Sequence, residues 1–361
     1  MAGIYIHIPF CYSRCSYCSF FSTTALQLRS LYVDAVCKEY TLRANYLAQD
    51  EPIRTIYLGG GTPSQLGKAD LARLLRILPV EEAEEVTIEA NPSDMTKAKL
   101  KSWLEMGINR LSIGVQSFND TSLAFLNRRH SSKQAQKVIR LAQDAGFTNI
   151  SIDLMYATPN QTREQWQADI EHALRFNVQH ISTYCLSYEP GTALYNWRAK
   201  GIIRETDDDL ANAMYASLCQ RLKAAGYTHY EVSNFAFPRF ESKHNSSYWD
   251  GTPYLGLGAG AHSYNGTSRQ WNVANLKRYM SSIMKGKVPS QGEVLTPTQQ
   301  YNERVMLGLR TNQGIEATEE LLHKAQPYIA TGRLRVDNGR IIASIEGINI
   351  LNTIITDLMQ E

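Results

Sequence analysis

Short β-branched segments alternate with longer segments of helical periodicity along the first two thirds of this 361-residue chain. The pattern predicts strands at 4–8, 55–58, 86–89, 110–114, 149–154 and 180–184. Helical periodicity occupies the stretches 67–78, 96–106, 132–145 and 162–176. Strands that alternate with helices favour an α/β fold with a parallel sheet and helices outside it. An open doubly wound sheet and a closed or partial barrel share this alternation, so periodicity alone leaves both architectures open.

Three of the joints between helix and strand repeat one pattern. In LEMGINRLSI, AQDAGFTNISI and LKAAGYTHYEV the helical stretch stops at Gly107, Gly146 or Gly226. A glycine there accepts the left-handed conformation of a helix C-terminal cap, because it has no Cβ. A strand begins a few residues later in each case, which indicates repeated helix-to-strand units.

The pattern changes after about residue 290. Helical periodicity covers 298–310 and 316–323, two short β-like runs lie around GRLRV and GRIIA, and an amphipathic helix ends the chain. We therefore expect a larger domain of residues 1–290 and a small helical, winged-helix-like domain of residues 291–361.

Cys11, Cys15 and Cys18 crowd into the stretch FCYSRCSYC, directly after the first predicted strand. In parallel α/β folds, functional groups collect on loops that follow the carboxyl ends of strands. Other distinctive residues lie at the ends of later strands, namely GGGTP, Glu89, Gln116 and Asp153. One face of the fold is therefore predicted to carry the chemistry.

The three clustered thiols are predicted to hold a metal group. A four-iron cluster takes thiolates on its iron corners, and three thiolates leave one iron open. The alternative is a zinc knuckle with a distant fourth ligand. The cysteine spacing alone leaves both alternatives open.

Composition excludes several other classes of protein. The 37 basic and 35 acidic residues give a formal charge of only +2, which is too small to attract nucleic acid by the overall charge of the protein. The remaining cysteines, Cys37, Cys185 and Cys219, are scattered, so a secreted disulfide framework is not expected. We expect neither a signal peptide nor a spanning helix, and we place the protein in the cytoplasm, peripherally associated with the membrane at most through partners.

The motif CYSRCSYC resembles the CxxxCxxC signature of the radical S-adenosylmethionine (SAM) superfamily, and GGGTP after the next strand strengthens the resemblance. In that superfamily the amino and carboxylate groups of SAM chelate the fourth iron. The resemblance therefore implies a [4Fe-4S] cluster on Cys11, Cys15 and Cys18 with SAM on the open iron. An electron from the reduced cluster would cleave the sulfonium, chemistry that belongs to the cofactors.

The resemblance extends over nearly the whole chain. The series YIHIPFC, YLGGGTP, TIEANP, RLSIGVQSF, LNRRH, SIDLMYATPNQT and YEVSNFA is similar to the family of oxygen-independent coproporphyrinogen III oxidases and HemW-type haem chaperones. The family's SAM pocket, carried over position by position, implies Tyr5, Gly60, Thr62, Glu89, Gln116, Arg128 and Asp153. It also implies a partial, roughly three-quarter parallel β/α barrel with a helical C-terminal domain. Without the resemblance, the same side chains could equally serve the core or surface ion pairs.

Two departures favour the chaperone branch over the oxidase branch. The oxidases have a further cysteine two positions after the third cluster cysteine, where this chain has Phe20. They also carry an N-terminal extension, whereas this sequence reaches its first strand within four residues of Met1.

The stretch HNSSYWDGTPYLGLGAGAHSY supplies the HNxxYW arrangement associated with haem binding in the chaperones, with His244, Asn245, Tyr248 and Trp249. Imidazole is a common axial ligand of haem iron, and flat aromatic groups can cover the macrocycle. The resemblance makes His244 the leading ligand candidate and leaves His262 as the second. Without the resemblance, a hydrogen-bonded loop histidine is the favoured interpretation.

These patterns predict a haem-binding chaperone that carries the cluster and SAM and transfers haem to haem-requiring acceptor proteins, including membrane-bound ones. An electron donor to the cluster is expected as a further partner, and nucleic acid is not. The alternative hypothesis is an enzyme, a radical SAM oxidase that decarboxylates coproporphyrinogen III. A third hypothesis is a radical SAM enzyme that acts on an unrelated substrate. The sequence leaves open whether the protein is an enzyme.

Overall fold

The computed structural model describes residues 1–48 and 51–360. The strands are β1 (Ala2–Ile8), β2 (Ile53–Gly60), β3 (Glu85–Ala90), β4 (Arg110–Gln116), β5 (Ile150–Tyr156), β6 (His180–Cys185), β7 (Thr228–Glu231), β8 (Asn234–Ala236), β9 (Tyr254–Leu257), β10 (His262–Tyr264), β11 (Ser268–Asn272), β12 (Ser290–Val294), β13 (Ile315–Glu316), β14 (Leu334–Asp337) and β15 (Arg340–Ala343). The α-helices are α1 (Arg29–Leu42), α2 (Lys68–Arg76), α3 (Lys97–Glu105), α4 (Asp120–Phe125), α5 (Ser132–Asp144), α6 (Arg163–Leu174), α7 (Ala193–Ala199), α8 (Asp208–Ala224), α9 (Lys243–Trp249), α10 (Leu276–Met284), α11 (Pro297–Gly308), α12 (Glu319–Ala330), α13 (Ile345–Ile348) and α14 (Leu351–Leu358).

Strands β1 to β6 lie side by side in chain order and pair in parallel. On its other edge β1 pairs in parallel with β9, and β10, β11 and β12 extend the sheet by antiparallel pairing. Strands β8 and β7 close the far edge, beside β6. The six predicted strands and the four predicted helices between them are confirmed, with their ends displaced by a few residues.

The two faces of β1 show why the alternation predicts a strand with a buried apolar face. Ile4, Ile6 and Ile8 pack into the main apolar core, which also includes Val33 of α1. The intervening positions lie on the opposite face because successive side chains of a strand alternate. One of them, Tyr5, lines a cavity described below.

The glycines predicted to end helices adopt the left-handed conformation. The φ angles of Gly107, Gly146 and Gly226 are 85°, 102° and 89°. A side chain with a Cβ would be strained at each position, so these residues fix where the helix stops and the chain turns towards the next strand.

A buried carboxylate joins α1 to the β9–β11 side of the sheet. Glu39 is fully buried and accepts hydrogen bonds from the Gly258 N–H (2.8 Å), the Tyr279 hydroxyl (2.6 Å) and the Asn272 side-chain amide (2.6 Å). The Arg43 guanidinium lies 3.6 Å from the same carboxylate. Buried polar groups are tolerated when they are paired in this way.

Residues after β12 form a second apolar cluster that includes Val305, Leu321 and Ile354. A small antiparallel sheet in the order β13-β15-β14 lies in the same region. The predicted helix at 316–323 is displaced, because Glu316 belongs to β13 and α12 begins at Glu319 and continues through Pro327. Strand β12 pairs with β11 beyond residue 290, and the proposed domain boundary stays a prediction.

In the ranges 1–48 and 51–360, no helix combines the length and the apolar character needed to cross a membrane.

Replacement of Glu39 tests how strongly this network stabilises the fold. Glu39→Ala leaves three buried donors without their acceptor, so we expect the free energy of unfolding to fall by about 3–5 kcal/mol. Urea unfolding of the metal-free protein, followed by tryptophan fluorescence, measures the change. Glu81→Ala removes an exposed carboxylate and serves as the control; equal unfolding midpoints for the two variants would contradict this account.

Candidate functional site

The loop that carries the three clustered cysteines leaves the carboxyl end of β1 and is closed at its neck by backbone pairing. The Cys11 N–H donates to the Thr23 carbonyl (2.9 Å), and the Thr23 N–H donates to the Pro9 carbonyl (2.7 Å). Further along, the Ser16 hydroxyl donates to the Phe125 carbonyl (3.1 Å), and the Ser16 carbonyl accepts from the Leu194 N–H (2.9 Å). The loop is therefore anchored to both α4 and α7.

The three thiols of this loop are free and partly buried. Burial raises the pKa of Cys18 to about 11 and also raises the pKa of Cys11. Bound iron would override this effect, because a coordinating thiol is deprotonated by the metal.

The loop brings three free thiols into one short segment of the chain. Across the described part of the chain, no three His, Cys, Asp or Glu side chains lie close enough together to hold a single metal ion. A zinc ion gathers all of its thiolates on one atom, whereas a four-iron cluster takes one thiolate at each of three separate corners. The donor set of Cys11, Cys15 and Cys18 fits the cluster.

Two residues predicted for the SAM pocket contact the cluster cysteines directly. The Thr62 hydroxyl lies 3.5 Å from the Cys11 sulfur, and the Arg128 guanidinium lies 3.3 Å from the Cys15 sulfur. Donors near a thiolate stabilise its charge. The structure therefore brings the second strand's exit loop and the LNRRH segment against the cysteine loop.

Close contacts within the protein leave no space for side chains in the GGG segment. A Cβ on Gly61 would lie 2.7 Å from the Pro9 carbonyl carbon, and one on Gly60 would lie 2.6 Å from the His7 ring. Gly60 also has a φ of 107°, which disfavours other residues. The glycines let the exits of β1 and β2 lie in contact.

Glu89, at the end of β3, points its carboxylate toward the second strand. It accepts from the Tyr57 hydroxyl (2.9 Å) and from the Gly60 N–H (3.1 Å). Burial, reinforced by the negative charge of Asp153, raises the pKa of Glu89 to about 7. Such a carboxylate would be stabilised by a cationic group, for example an amino group of a ligand.

Gln116 and Arg128 lie beside Gly114 of β4, and Asp153 interacts electrostatically with Arg128. The Arg128 guanidinium donates to the Gly114 carbonyl (2.6 Å), and a Cβ on Gly114 would lie 3.2 Å from the Gln116 side-chain nitrogen. Gln116 has a φ of 68°, a strained angle for a residue with a side chain. Burial raises the pKa of Asp153 to about 6, while hydrogen bonds and nearby guanidinium groups oppose the shift.

Tyr5, the remaining predicted SAM residue, lies on the inner face of β1. Its hydroxyl is 3.1 Å from His7 Nδ1, and the Nε2 of His7 is 2.8 Å from the Phe21 carbonyl. His7 was not singled out from the sequence, although it alternates with the isoleucines of β1. It links Tyr5 to Phe21 at the end of the cysteine loop.

The HNxxYW stretch lies in helix α9, and His244, the first residue of the stretch, is fully buried. His244 Nδ1 lies 2.8 Å from the Thr55 hydroxyl and Nε2 lies 2.8 Å from the Tyr248 hydroxyl, so both ring nitrogens are engaged. The backbone N–H of His244 donates to Glu85 (3.0 Å), and burial lowers the pKa of the ring to about 3. The role of His244 as a haem ligand stays a prediction.

Tyr248 and Trp249 line a cavity of about 1160 Å³, whereas His244 and Asn245 do not. The cavity lies between the end of the cysteine loop, strands β9 to β11 and the C-terminal elements α11 and β13. Its aromatic lining consists of Tyr5, His7, Phe20, Phe21, Tyr248, Trp249, Tyr254, His262, Tyr264 and Tyr301. The volume exceeds the roughly 300–1,000 Å³ of most small-molecule sites, so a large ligand can be accommodated.

The sequence analysis missed the groups that support these residues from neighbouring strands. Thr55 and Glu85 hold His244, and Ser112 donates to Asp153 (3.3 Å). These polar residues alternate with apolar ones in buried strands, which was the available signal. Their partners could not be assigned without knowing the order of the strands.

The chain is similar in sequence to known proteins. Residues 5–173 match the radical SAM superfamily. The heme chaperone HemW of Lactococcus lactis is 38% identical over 316 residues, which cover 86% of this chain and 82% of the relative. The heme chaperone HemW of Mycobacterium tuberculosis is 35% identical over 372 residues, which cover 99% of this chain and 94% of the relative.

One solved structure extends the likeness over the fold. Coproporphyrinogen III oxidase (HemN) from Escherichia coli, a radical SAM enzyme, superposes with a TM-score of 0.82 at 24% sequence identity. The match covers 99% of this chain and 90% of that chain. It confirms the predicted α/β fold of the radical SAM type.

Cysteine substitution tests the cluster site. Cys15→Ala removes one of three thiolates, and we expect the anaerobically reconstituted variant to lose most of its iron and acid-labile sulfide. Cys37→Ala, which changes a partly buried cysteine of α1 outside the loop, should retain the brown colour and iron content of the unaltered protein. Zinc in place of iron, or equal iron in both variants, would refute the cluster assignment.

The pKa of Glu89 gives a test by pH. Its folded-state pKa is raised from 4.5 to about 7, so the folded protein binds this proton more tightly than the unfolded chain does. The contribution of protonated Glu89 to the free energy of unfolding is therefore fully present below pH 4.5. It is lost as the pH rises through about 7, and the loss is roughly 3 kcal/mol. Glu89→Gln has no such proton to lose.

Urea unfolding of the cofactor-free protein at pH 5 and pH 8 measures this difference. Unaltered protein should lose more stability between the two values than Glu89→Gln does, and Glu81→Gln should behave as the unaltered protein. Identical pH dependence in all three would show that the Glu89 carboxylate is not penalised by burial. The Glu89→Gln protein should also bind SAM more weakly, since the carboxylate is lost.

Proposed function

Because the chain belongs to the haem chaperone HemW family of the radical SAM superfamily, we propose that it binds haem reversibly and passes it to haem-requiring acceptor proteins. The proposal includes a [4Fe-4S] cluster on Cys11, Cys15 and Cys18 and SAM beside it. In this proposal the haem is the cargo, and the cluster and SAM are resident cofactors.

The cavity beside α9 is the observation that carries this proposal. It joins Phe20, at the end of the cysteine loop, to Tyr248 and Trp249 of the HNxxYW stretch. Phe20 is exposed, with 69% of its surface accessible, although large apolar side chains are usually covered. A flat apolar macrocycle would cover this ring and contact the aromatic walls on its other side.

Residues at the carboxyl ends of β2 to β5 would hold SAM. Glu89 would accept from its amino group, and Gln116, Arg128 and Asp153 form the polar wall next to it. When bound, the reduced cluster supplies an electron that can cleave the sulfonium of SAM. Arg128 contacts Cys15 as well, so this residue would couple the two cofactor sites.

The oxidase alternative remains the second candidate because the predicted SAM residues are gathered at one end of the sheet. Against it, Phe20 occupies the position of the oxidase's additional cysteine and faces the cavity. Phenylalanine can pack against a porphyrin. It has no S–H group, so it cannot donate a proton or a hydrogen atom as a cysteine at this position could. We therefore favour carriage of haem over its synthesis.

The remaining partners and the cellular location are part of the proposal. A carrier of this kind requires acceptor proteins, which we expect to include membrane-bound ones, and an electron donor to the cluster. We place it in the cytoplasm, where its thiols stay reduced.

Haem titration tests the proposal directly. Haemin added to the anaerobically reconstituted protein should bind saturably, at a single haem per chain, and excess apomyoglobin should then remove it. The same samples, given coproporphyrinogen III, SAM and a strong reductant, should form no protoporphyrinogen IX. Trp249→Ala should weaken haem binding by a few-fold to about tenfold, because one aromatic contact is lost.

Trp197→Ala, a change in α7 outside the cavity, provides the matched control and should bind haem normally. Turnover of coproporphyrinogen III without saturable haem binding would establish the oxidase instead. Haem that apomyoglobin cannot remove would contradict the carrier function.

A further inference from the structure

A haem carried in the cavity beside α9 needs a ligand for its iron, and the structure limits the choice. This inference rests on the haem-binding function proposed above. The leading candidate from the sequence, His244, is fully buried behind the cavity wall. Both of its ring nitrogens are hydrogen-bonded, so ligation through Nε2 would require the Tyr248 hydroxyl to leave, and ligation through Nδ1 would require Thr55 to leave.

Within the described part of the chain, two other imidazoles line the cavity, those of His7 and His262. His7 is engaged at both nitrogens, by the Tyr5 hydroxyl and by the Phe21 carbonyl. His262, in β10, is exposed and faces the cavity, and its ring packs against Trp271 with centroids 6.1 Å apart. Its nitrogens make no hydrogen bond to any residue in the ranges 1–48 and 51–360.

We propose that His262 is an axial ligand of haem iron in this cavity, and that His244 is a positioning residue that holds Tyr248 and Trp249 in the cavity wall. A neutral imidazole can donate a nitrogen lone pair to haem iron. His262 can do so without the loss of an existing hydrogen bond.

The surroundings of His262 suit a macrocycle. Gly260, two residues earlier, also lines the cavity, and a Cβ there would be 3.4 Å from the Phe21 side chain. The absence of a side chain on Gly260 therefore keeps this part of the cavity wall close to Phe21. Trp271 restrains the ring by stacking, so less rotational freedom is lost when the iron binds.

Guanidinium groups lie where the carboxylates of haem propionates could be bound. Arg269, Arg304 and Arg340 line the same cavity as His262. Arg269 is paired with Glu303 at 3.0 Å, while Arg304 is exposed. Arg304 is therefore the group best placed to pair with an added carboxylate.

The contacts of His244 explain how it would act through other residues. Its Nε2 meets the Tyr248 hydroxyl at 2.8 Å, and the Tyr248 ring packs edge-on against Tyr254 with centroids 4.7 Å apart. Both tyrosines line the cavity. Loss of the imidazole would leave this hydroxyl without its partner and loosen the wall, which weakens haem binding without removing the iron ligand.

Resonance Raman spectroscopy of the ferrous haem complex separates the two roles, because the iron–histidine stretching band reports the axial bond. The experiment uses full-length, cluster-reconstituted His262→Ala and His244→Ala, with His323→Ala as a control that changes a histidine outside the cavity. We expect His262→Ala to lose the band and to bind haem at least about tenfold more weakly, since even outer partners of metal ligands contribute that much. Added imidazole should restore its spectrum.

His244→Ala should keep the band with weakened haem affinity, and His323→Ala should match the unaltered protein. A band and affinity retained in His262→Ala would overturn the assignment. Loss of the band in both variants would contradict the positioning role of His244. If the unaltered protein shows no saturable haem binding, the proposed function fails, and this inference fails with it. If haem binds saturably and His262→Ala leaves that binding unchanged, only this inference fails.

Discussion

The parallel pairing of β1 with β2 on one edge and β9 on the other determines where every functional group lies. The carboxyl end of a parallel strand opens onto the same edge as its neighbours. The cysteine loop therefore leaves β1 next to the exits of β2 to β5, which carry the residues proposed to bind SAM. On the other side, β9 and the strands paired beyond it form one wall of the cavity. One strand thus places the proposed cluster between the cofactor site and the proposed haem site.

The inner face of the sheet carries polar groups that a fold alone would not require. Arg110 is 1% exposed, and its nearest carboxylate, Glu85, lies 3.8 Å away. Glu89 and Asp153 have pKa values raised by burial. Burial of a charged group costs desolvation free energy unless the group is paired. Buried ionisable groups gathered on one face of a sheet are typical of ligand sites, where a ligand can supply charge or hydrogen bonds.

Periodicity was sufficient to predict β1 to β6 and the helix-ending glycines, because each signal is local. Cys11, Cys15 and Cys18 could also be proposed as metal ligands, because their spacing is visible in the sequence without knowledge of the fold. The cavity could not be predicted, because its walls come from β1, α9, β10 and the C-terminal segment. The engagement of His244 also depends on strand order, which places Thr55 and Glu85 beside α9. For the same reason the sequence ranked His244 above His262, whose access to the cavity is visible only in three dimensions.

The central claim is that two iron-containing groups lie on opposite sides of the end of β1. An anaerobic crystal structure of the reconstituted protein with haem, with anomalous diffraction measured at the iron edge, tests it most directly. We predict one iron peak at Cys11, Cys15 and Cys18, and a separate peak inside the cavity within bonding distance of the His262 ring. A haem peak on the outer surface, or only one iron site in saturated crystals, would contradict this account.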